Sequence, residues 1–217
     1  MNTTEADIKN GNRIHTVYKS EAGKRLPSVT TILNGVLAKP ALIKWAYGLG
    51  LKGIDMDGYR DALADVGTLA HRMILDHLRG DKTDTANCPK DQVDLAENCF
   101  IKYLEWEGQH QVEPILVETP LVSEAGGFGG TPDFIGNIDG VPTLMDYKTG
   151  KGIYEDYWYQ LGGYSLLYQG TLRDFRILNI GRDESEKFVE EQRSDVNTER
   201  SIFIHALEIY KLKRRTS

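Results

Sequence analysis

The sequence predicts a mixed α/β fold in which a central mixed β-sheet is flanked by helices. Three observations indicate this class. Apolar residues recur at intervals of three and four through much of residues 28–107, as in amphipathic helices. Apolar and polar residues then tend to alternate between residues 112 and 149, as in strands. Beyond residue 150 the chain shows a helical pattern, one more strand and a last helix. Helices packed on the faces of one sheet satisfy this order most simply.

The first half of the chain, residues 1–107, is predicted to be mainly helical. The expected helices are one capped by Ser28, one from Lys39-Pro40 to Leu49, one over residues 60–80 and one over residues 91–107. The third helix has a clear amphipathic pattern and should stop near Gly80. A polar loop separates it from the fourth helix.

The second half, residues 108–217, is predicted to contain the sheet. Three sequential strands, most simply a meander, are expected within residues 112–124, 128–139 and 141–149. Asp139-Gly140 is a strong signal for a tight hairpin turn between the last two. The remaining expected elements are a helix over residues 153–170, a strand over residues 172–181 and a helix over residues 197–215. No linker divides the chain, so residues 1–217 are predicted to form a single domain.

Composition excludes several classes of protein. The 217 residues, 40% hydrophobic and 27% charged, are typical of a globular chain that can bury a sizeable core. Cys88 and Cys99 are too few for a disulfide framework or a four-cysteine iron–sulfur site, so a reducing, cytoplasmic location is expected. No apolar run approaches the roughly 20 residues of a membrane span, and the first residues carry no signal pattern. The net charge of -6 argues mildly against indiscriminate binding of polyanions.

Two aspartates, Asp133 and Asp146, are expected to face each other on neighbouring strands. Asp133 lies six residues before Asp139, and Asp146 lies six residues after Gly140, so a hairpin through that turn pairs them. Pro132 cannot donate a hydrogen bond to a ladder, which indicates a bend or bulge that frees the Asp133 side chain from regular pairing. Side chains alternate between the faces of a strand, so Lys148 points the same way as Asp146. Two converging carboxylates repel each other unless a cation lies between them, which favours a divalent metal ion.

These groups match the requirements of phosphodiester hydrolysis. Asp133, Asp146 and the backbone carbonyl of Tyr147 can bind Mg²⁺ or Mn²⁺ through oxygen, and such an ion polarises a phosphate and lowers the pKa of a water molecule. Lys148 then positions the nucleophile as a cationic donor. The alternative is an ordinary salt bridge on a solvated strand. Leu144, Met145 and Tyr147 predict that this strand is buried on both faces. That disfavours a solvated salt bridge, because an uncompensated buried carboxylate is costly.

Five short segments carry a resemblance to a known family. They are, in order, PSVTTIL at residues 27–33, GTLAH at 67–71, GTPD at 130–133, DYKTG at 146–150 and QLGGY at 160–164. In this order and spacing they resemble the PD-(D/E)xK nuclease superfamily, in particular the RecB-like exonucleases, which include phage enzymes and the mitochondrial genome maintenance exonuclease. The resemblance covers most of the chain. It implies a restriction-endonuclease-like core with a helical part before it.

The resemblance also implies roles for the central residues. A helix would supply His71 as a metal ligand, Asp133 and Asp146 would be the acidic ligands, and Lys148 would be catalytic. A nitrogen ligand among oxygens makes a site more tolerant of Mn²⁺, so Mn²⁺ is expected to support activity alongside Mg²⁺. The alternative for His71 is a histidine on a helix surface. Gly67, one turn earlier, leaves that side of the helix bare and favours the ligand role.

Five further residues are candidates around this centre. Gln160 and Tyr164 correspond to the family's Q-x-x-x-Y element and can address a phosphate or base together, with a packing role as the alternative. Ser28 and Thr30 can donate hydrogen bonds to a phosphate, with helix capping as the simpler explanation. Glu118, on the preceding strand, is a candidate carboxylate for supporting the first metal ion or binding a second.

Together these features predict a metal-dependent deoxyribonuclease, most simply an exonuclease that acts on DNA ends in replication, recombination or repair, of the kind that phages encode. DNA is the expected partner, with a second copy of the chain or a recombination or replication protein as further candidates and no membrane. Two alternatives stay open. One is a site-specific or structure-specific endonuclease of the same superfamily. The other is a non-catalytic DNA-binding module, which is expected to lack a ligand or the lysine.

Overall fold

The computed structural model describes residues 6–8 and 14–215, and it confirms the predicted class. In these residues a five-stranded mixed sheet is flanked by helices. The helices are α1 (Val29–Val36), α2 (Pro40–Leu51), α3 (Met56–Arg79), α4 (Lys90–Glu107), α5 (Glu155–Ser165) and α6 (Asn197–Arg215). The strands are β1 (Ala6–Ile8), β2 (Ile14–Thr16), β3 (Tyr18–Lys19), β4 (Arg25–Leu26), β5 (Val112–Val117), β6 (Leu121–Ser123), β7 (Phe128–Gly130), β8 (Phe134–Ile138), β9 (Val141–Lys148), β10 (Asp174–Asn179) and β11 (Val189–Arg193).

The central sheet has the strand order β11-β10-β9-β8-β5. Strands β9 and β10 are parallel, whereas the other neighbouring strands are antiparallel. The parallel pair arises because the connection between β9 and β10 contains α5, and parallel strands need such a crossover. Three two-stranded sheets, β1-β2, β3-β4 and β6-β7, lie outside the central sheet.

The predicted meander of three strands is only partly right. Strands β5, β8 and β9 do form an antiparallel meander, but two of the predicted strands are each interrupted. The first breaks at Glu118, whose φ is 45°, and Pro120 follows shortly after. The second breaks at Pro132. Proline cannot donate a hydrogen bond to a ladder, so the pieces β6 and β7 leave the main sheet and pair with each other.

The hairpin between β8 and β9 has the predicted turn. Asp139 and Gly140 have φ values of 52° and 77°, the two positive angles that a tight type I′ turn requires. The strand register runs from Ile138↔Val141 to Phe134↔Met145. One further step along this register brings Asp133 opposite Asp146, as the residue count predicts.

The two faces of the sheet support separate apolar cores. One core lies under α1, α5 and α6 and contains Leu144 and Trp158, while the other lies under α3 and α4 and contains Met145 and Tyr147. Strand β9 is therefore buried on both faces, as its apolar sequence predicts. Asp146 shares the face of Leu144, because residues two apart on a strand point the same way.

Other boundaries agree with the sequence to within a few residues. Helix α3 begins earlier than residue 60, after Asp55, whose side chain accepts a hydrogen bond from the Gly58 amide. Helix α5 ends at Ser165 rather than near residue 170. No disulfide joins Cys88 and Cys99. Among the helices of residues 14–215, none combines the length and apolar character needed to cross a membrane.

Candidate active site

The candidate site lies at the end of β9, where Asp146 and Lys148 share one face of the strand. The Asp146 side chain is 1% exposed and the Lys148 side chain 18% exposed. The Lys148 ammonium contacts Asp146 Oδ2 as a close ion pair. The other oxygen, Oδ1, is buried and accepts no hydrogen bond from any residue that the structure describes. A buried carboxylate oxygen without a hydrogen-bond donor is costly to stability.

Asp133 joins this pair from the neighbouring strand. It lies in a bend directly after Pro132, and its Oδ2 accepts a hydrogen bond from the Tyr147 amide at 2.9 Å. Its own carbonyl accepts a hydrogen bond from the Glu118 amide at 2.9 Å. These two bonds fix the backbone and the side chain of Asp133, and they hold its carboxylate at the end of β9.

Burial makes both carboxyl groups weak acids. It raises the pKa of Asp133 to about 6, although the nearby Lys148 charge lowers it in part. Burial likewise raises the pKa of Asp146 to about 6, again against the Lys148 charge, and the Asp133 charge adds to the increase. For Lys148, burial lowers the pKa, but the Asp146 and Asp133 charges outweigh it and leave the pKa raised. Lys148 is therefore a cation at neutral pH.

His71 reaches the same place from α3. Its Nδ1 lies 3.9 Å from Asp133 Oδ2, and its ring meets the Tyr147 ring edge-on at 6.1 Å between centroids. Burial and the Lys148 charge lower the pKa of His71 to about 4, despite the opposing charge of Asp146. The ring is therefore neutral at pH 7 and keeps a nitrogen lone pair.

Gly67 explains how α3 comes so close to the strands. A Cβ atom at this position would lie only 2.6 Å from Thr149 Oγ1. Thr149, the residue after Lys148, thus occupies the side of α3 that Gly67 leaves bare. Close packing of α3 against the end of β9 is what carries His71, one turn later, to Asp133.

Glu118 lies at the rim of this cluster. Its side chain is 51% exposed and lies 3.5 Å from Arg79 Nη2, which also donates a hydrogen bond to the Val117 carbonyl. Its charge acts on the pKa values of both His71 and Asp133. The side chain is thus near the centre but paired with an arginine, and its support of a metal ion stays a prediction.

Gln160 and Tyr164 form one hydrogen-bonded unit. Gln160 Nε2 donates to the Tyr164 hydroxyl at 2.7 Å, and Tyr164 is only 6% exposed. Its ring packs against Gly130, three residues before Asp133, where a Cβ atom would lie 2.7 Å away. Burial raises the pKa of Tyr164, and the charges of Asp146 and Asp133 raise it further. The pair therefore adjoins the site from within the protein, and its contact with DNA stays a prediction.

Ser28 and Thr30 lie at the start of α1. Ser28 Oγ accepts a hydrogen bond from the Thr31 amide at 2.9 Å, which is the capping geometry expected of this residue. Thr30 Oγ1 lies 2.9 Å from Ser28 Oγ. Ser28 also forms a backbone bridge to Gly129, so the start of α1 abuts the strand that leads to Asp133. Capping explains the Ser28 hydroxyl, the Thr30 hydroxyl contacts it, and the contact of either with a phosphate stays a prediction.

One residue of the cluster was not among the predicted site residues. The Tyr157 ring lies 5.0 Å from Lys148 Nζ and packs edge-on against Tyr154. Tyr157 is one helical turn before Gln160, so the sequence does place the two on the same side of α5. The sequence does not reveal that this side faces Lys148, because the loop after β9 sets the orientation of the helix.

The cluster is not a preformed cage for an ion. Within residues 14–215, no three His, Cys, Asp or Glu side chains are arranged closely enough to hold a metal. The Lys148 ammonium contacts Asp146, and His71 lies at 3.9 Å from Asp133. In this arrangement the lysine balances the carboxylate charge.

No protein-family model and no curated protein sequence matches this chain. Among solved structures, the chain is similar to SSO0001, with a TM-score of 0.39 and 16% identity over 69% of this chain and 74% of that one. It is also similar to LHK-Exo, an alkaline exonuclease from Laribacter hongkongensis, with a TM-score of 0.35 and 17% identity over 71% and 90% of the two chains. LHK-Exo in complex with dAMP gives a TM-score of 0.32 and 19% identity over 71% and 90%. These similarities are too low to support an argument about function.

Proposed function

We propose that this chain is a divalent-metal-dependent deoxyribonuclease, and specifically an exonuclease that hydrolyses phosphodiester bonds from DNA ends. The observation that supports it is the meeting of His71, Asp133, Asp146 and Lys148, from three separate segments, at the end of one strand pair. Buried carboxyl groups with raised pKa values, beside a neutral imidazole and a cation, are costly to stability. Such clusters are concentrated at functional sites.

The donor groups are of the chemical types that bind Mg²⁺ or Mn²⁺, although the described side chains do not lie close enough together to form a preformed site. His71, Asp133, Asp146 and the Tyr147 carbonyl would supply one nitrogen and several oxygens, and the buried Asp146 Oδ1 has no other partner among the described residues. When bound, such an ion would act as a Lewis acid that polarises the phosphate, and it would lower the pKa of a water molecule. The neutral His71 ring needs no proton loss before it can bind.

Lys148 acts as a charged donor in this proposal. Its raised pKa keeps the ammonium protonated at neutral pH, so it cannot accept a proton from water. It can donate hydrogen bonds to the attacking water and to the phosphate oxygen on which negative charge develops. The Tyr157 ring, 5.0 Å from Nζ, gives the ammonium a favourable contact in addition to Asp146.

The preference for DNA ends comes from the motif resemblance, and a comparison of substrates tests it. End-labelled linear DNA incubated with Mg²⁺ or Mn²⁺ is expected to release labelled mononucleotides early, while closed circular DNA stays intact and a chelator stops the reaction. Cleavage of the circles would indicate an endonuclease. Binding without cleavage in either metal ion would indicate a non-catalytic module.

Metal binding is expected to be visible in thermal unfolding without any DNA. At about 100 times its Kd, Mg²⁺ or Mn²⁺ should stabilise the folded protein by about 2.7 kcal/mol and raise the melting temperature by several degrees. The shift should vanish between pH 7.5 and pH 5, because protons then occupy Asp133 and Asp146, whose pKa values are about 6. Differential scanning fluorimetry across this range measures it.

The metal-free protein provides a control, because the contribution of these carboxyl groups to its stability should change with pH in the opposite direction. Both pKa values are higher in the folded protein than in the unfolded chain, so the folded protein binds more protons between about pH 4 and pH 6. The contribution of these two groups to stability is therefore greatest below about pH 4 and is lost as the pH rises through 6. A metal-induced shift of equal size at pH 5 and pH 7.5 would contradict this assignment of the ligands.

A further inference from the structure

Basic residues are unevenly distributed along the chain. Residues 22–54 contain five basic residues and no acidic residue, in a chain whose net charge is -6. The five are Lys24, Arg25, Lys39, Lys44 and Lys52. This segment contains β4, α1 and α2. A polyanion therefore meets less repulsion here than the total charge indicates.

Helix α2 exposes an apolar and aromatic stripe. Ile43, Tyr47 and Leu51 are four residues apart and 73%, 68% and 72% exposed, so they form one line along the helix. Beside it, the half-buried Trp45 lies 6.2 Å from the Tyr59 ring, measured between centroids. No residue that the structure describes covers this stripe. Exposed apolar surface of this extent is typical of a binding surface.

Both ends of α2 are connected to the candidate active site. At its start, Lys39 Nζ lies 2.9 Å from Asp156 Oδ2, in the first turn of α5. The next residue is Tyr157, whose ring lies 5.0 Å from Lys148 Nζ. At its end, α2 leads through a short turn into α3, which carries His71. The start of α2 thus contacts α5, and its end continues into α3, the two helices that contribute Tyr157 and His71.

We propose that α2 is the platform on which a single DNA strand lies before its end reaches the site, an inference that rests on the proposed function. Tyr47 stacks on a base, and Lys44 and Lys52 neutralise phosphates. Both lysines are exposed and take part in no ion pair of the described residues. Stacking selects a single strand because its bases present free faces, which a duplex hides. The absence of acidic residues from residues 22–54 favours a nucleic acid over a protein partner as the occupant.

The test is binding measured without cleavage. Fluorescence anisotropy of a labelled oligothymidylate and of a duplex of equal length, both in chelator, is expected to show tighter binding of the single strand. Tyr47→Ala should weaken that binding about tenfold, while Tyr47→Phe should bind like wild type. Lys44→Gln and Lys52→Gln should each reduce the slope of log K against log salt by about 0.7. Lys90→Gln, an exposed lysine on α4, is the matched control and should change neither quantity.

Two results would refute the proposal that α2 binds a single DNA strand. The first is a Tyr47→Ala variant that binds the single strand as tightly as wild type. If light scattering shows that this variant has lost a dimer, the stripe is an interface between two copies of the chain instead. The second is a wild type that binds the duplex as well as the single strand, or binds neither. Cleavage of end-labelled DNA with Mg²⁺ is measured on the same variants. A wild type that does not cut refutes the proposed function, whereas a Tyr47→Ala variant that binds and cuts normally refutes the platform alone.

Discussion

Replacing Asp146 with asparagine is expected to lower kcat for DNA cleavage by about 10³-fold or more, which corresponds to roughly 4 kcal/mol of lost transition-state stabilisation. Asparagine keeps the size of the side chain but removes the charge that would hold the metal ion, at a position that is 1% exposed. The rate of mononucleotide release from end-labelled DNA measures the loss. The metal-induced rise in melting temperature should disappear in the same variant.

Asp174→Asn is the matched control, because Asp174 is also a buried carboxylate on a central strand. It is paired with Arg176 at 2.6 Å and accepts a hydrogen bond from Thr143. Its replacement should cost about 1–3 kcal/mol of stability yet leave kcat and the metal-induced shift near wild type. If Asp146→Asn retained metal-dependent cleavage, or if both variants lost activity only in proportion to stability, Asp146 would not be a metal ligand.

Lys148→Ala is expected to separate catalysis from metal binding. Loss of the charged donor should lower kcat by about 10²- to 10³-fold. Metal binding should survive and become tighter, because the Lys148 ammonium contacts Asp146 Oδ2 and competes with an ion for the same oxygen. Single-turnover cleavage measures the first effect, and titration of the melting temperature with Mn²⁺ measures the second.

Lys148→Met shows whether charge or bulk is responsible, since methionine nearly matches the length of lysine without its charge. It should be as inactive as Lys148→Ala and bind Mn²⁺ at least as tightly as wild type. An active methionine variant would mean that the ammonium is not the catalytic group. Weaker Mn²⁺ binding in both variants would mean that Lys148 supports the ion rather than competing with it.

The strand part of the site could be predicted because it depends on local rules. Asp139-Gly140 adopts positive φ angles readily, so the turn sets the register, and the register brings Asp133 opposite Asp146. Strand alternation places Lys148 on the face of Asp146. The sequence also correctly indicated that β9 is buried on both faces.

Other parts of the fold could not be predicted from short-range patterns. Strand β11 is an edge strand with the sequence VEEQR, whose charged residues hide any apolar alternation. The interruption at Glu118 divides a predicted strand, because a positive φ at a residue other than glycine leaves no clear signal in the sequence. The bend at Pro132 was predicted, because proline cannot donate a hydrogen bond to a ladder. The Gln160 and Tyr164 side chains bond to each other rather than extending as two free groups.

By itself, the sequence determined the helices α1 to α6, the strands β5, β8, β9 and β10, the β8-β9 turn and the pairing of the two aspartates with the lysine. These follow from backbone angles and side-chain alternation over a few residues. The motif resemblance implied that His71 joins them, but only the tertiary structure shows how His71 and Tyr157 reach them. That meeting depends on how α3 and α5 pack against the sheet, through contacts such as Gly67 with Thr149 between residues far apart in the chain. Helical periodicity places a residue on a face of its helix, but packing of the two cores decides what that face touches.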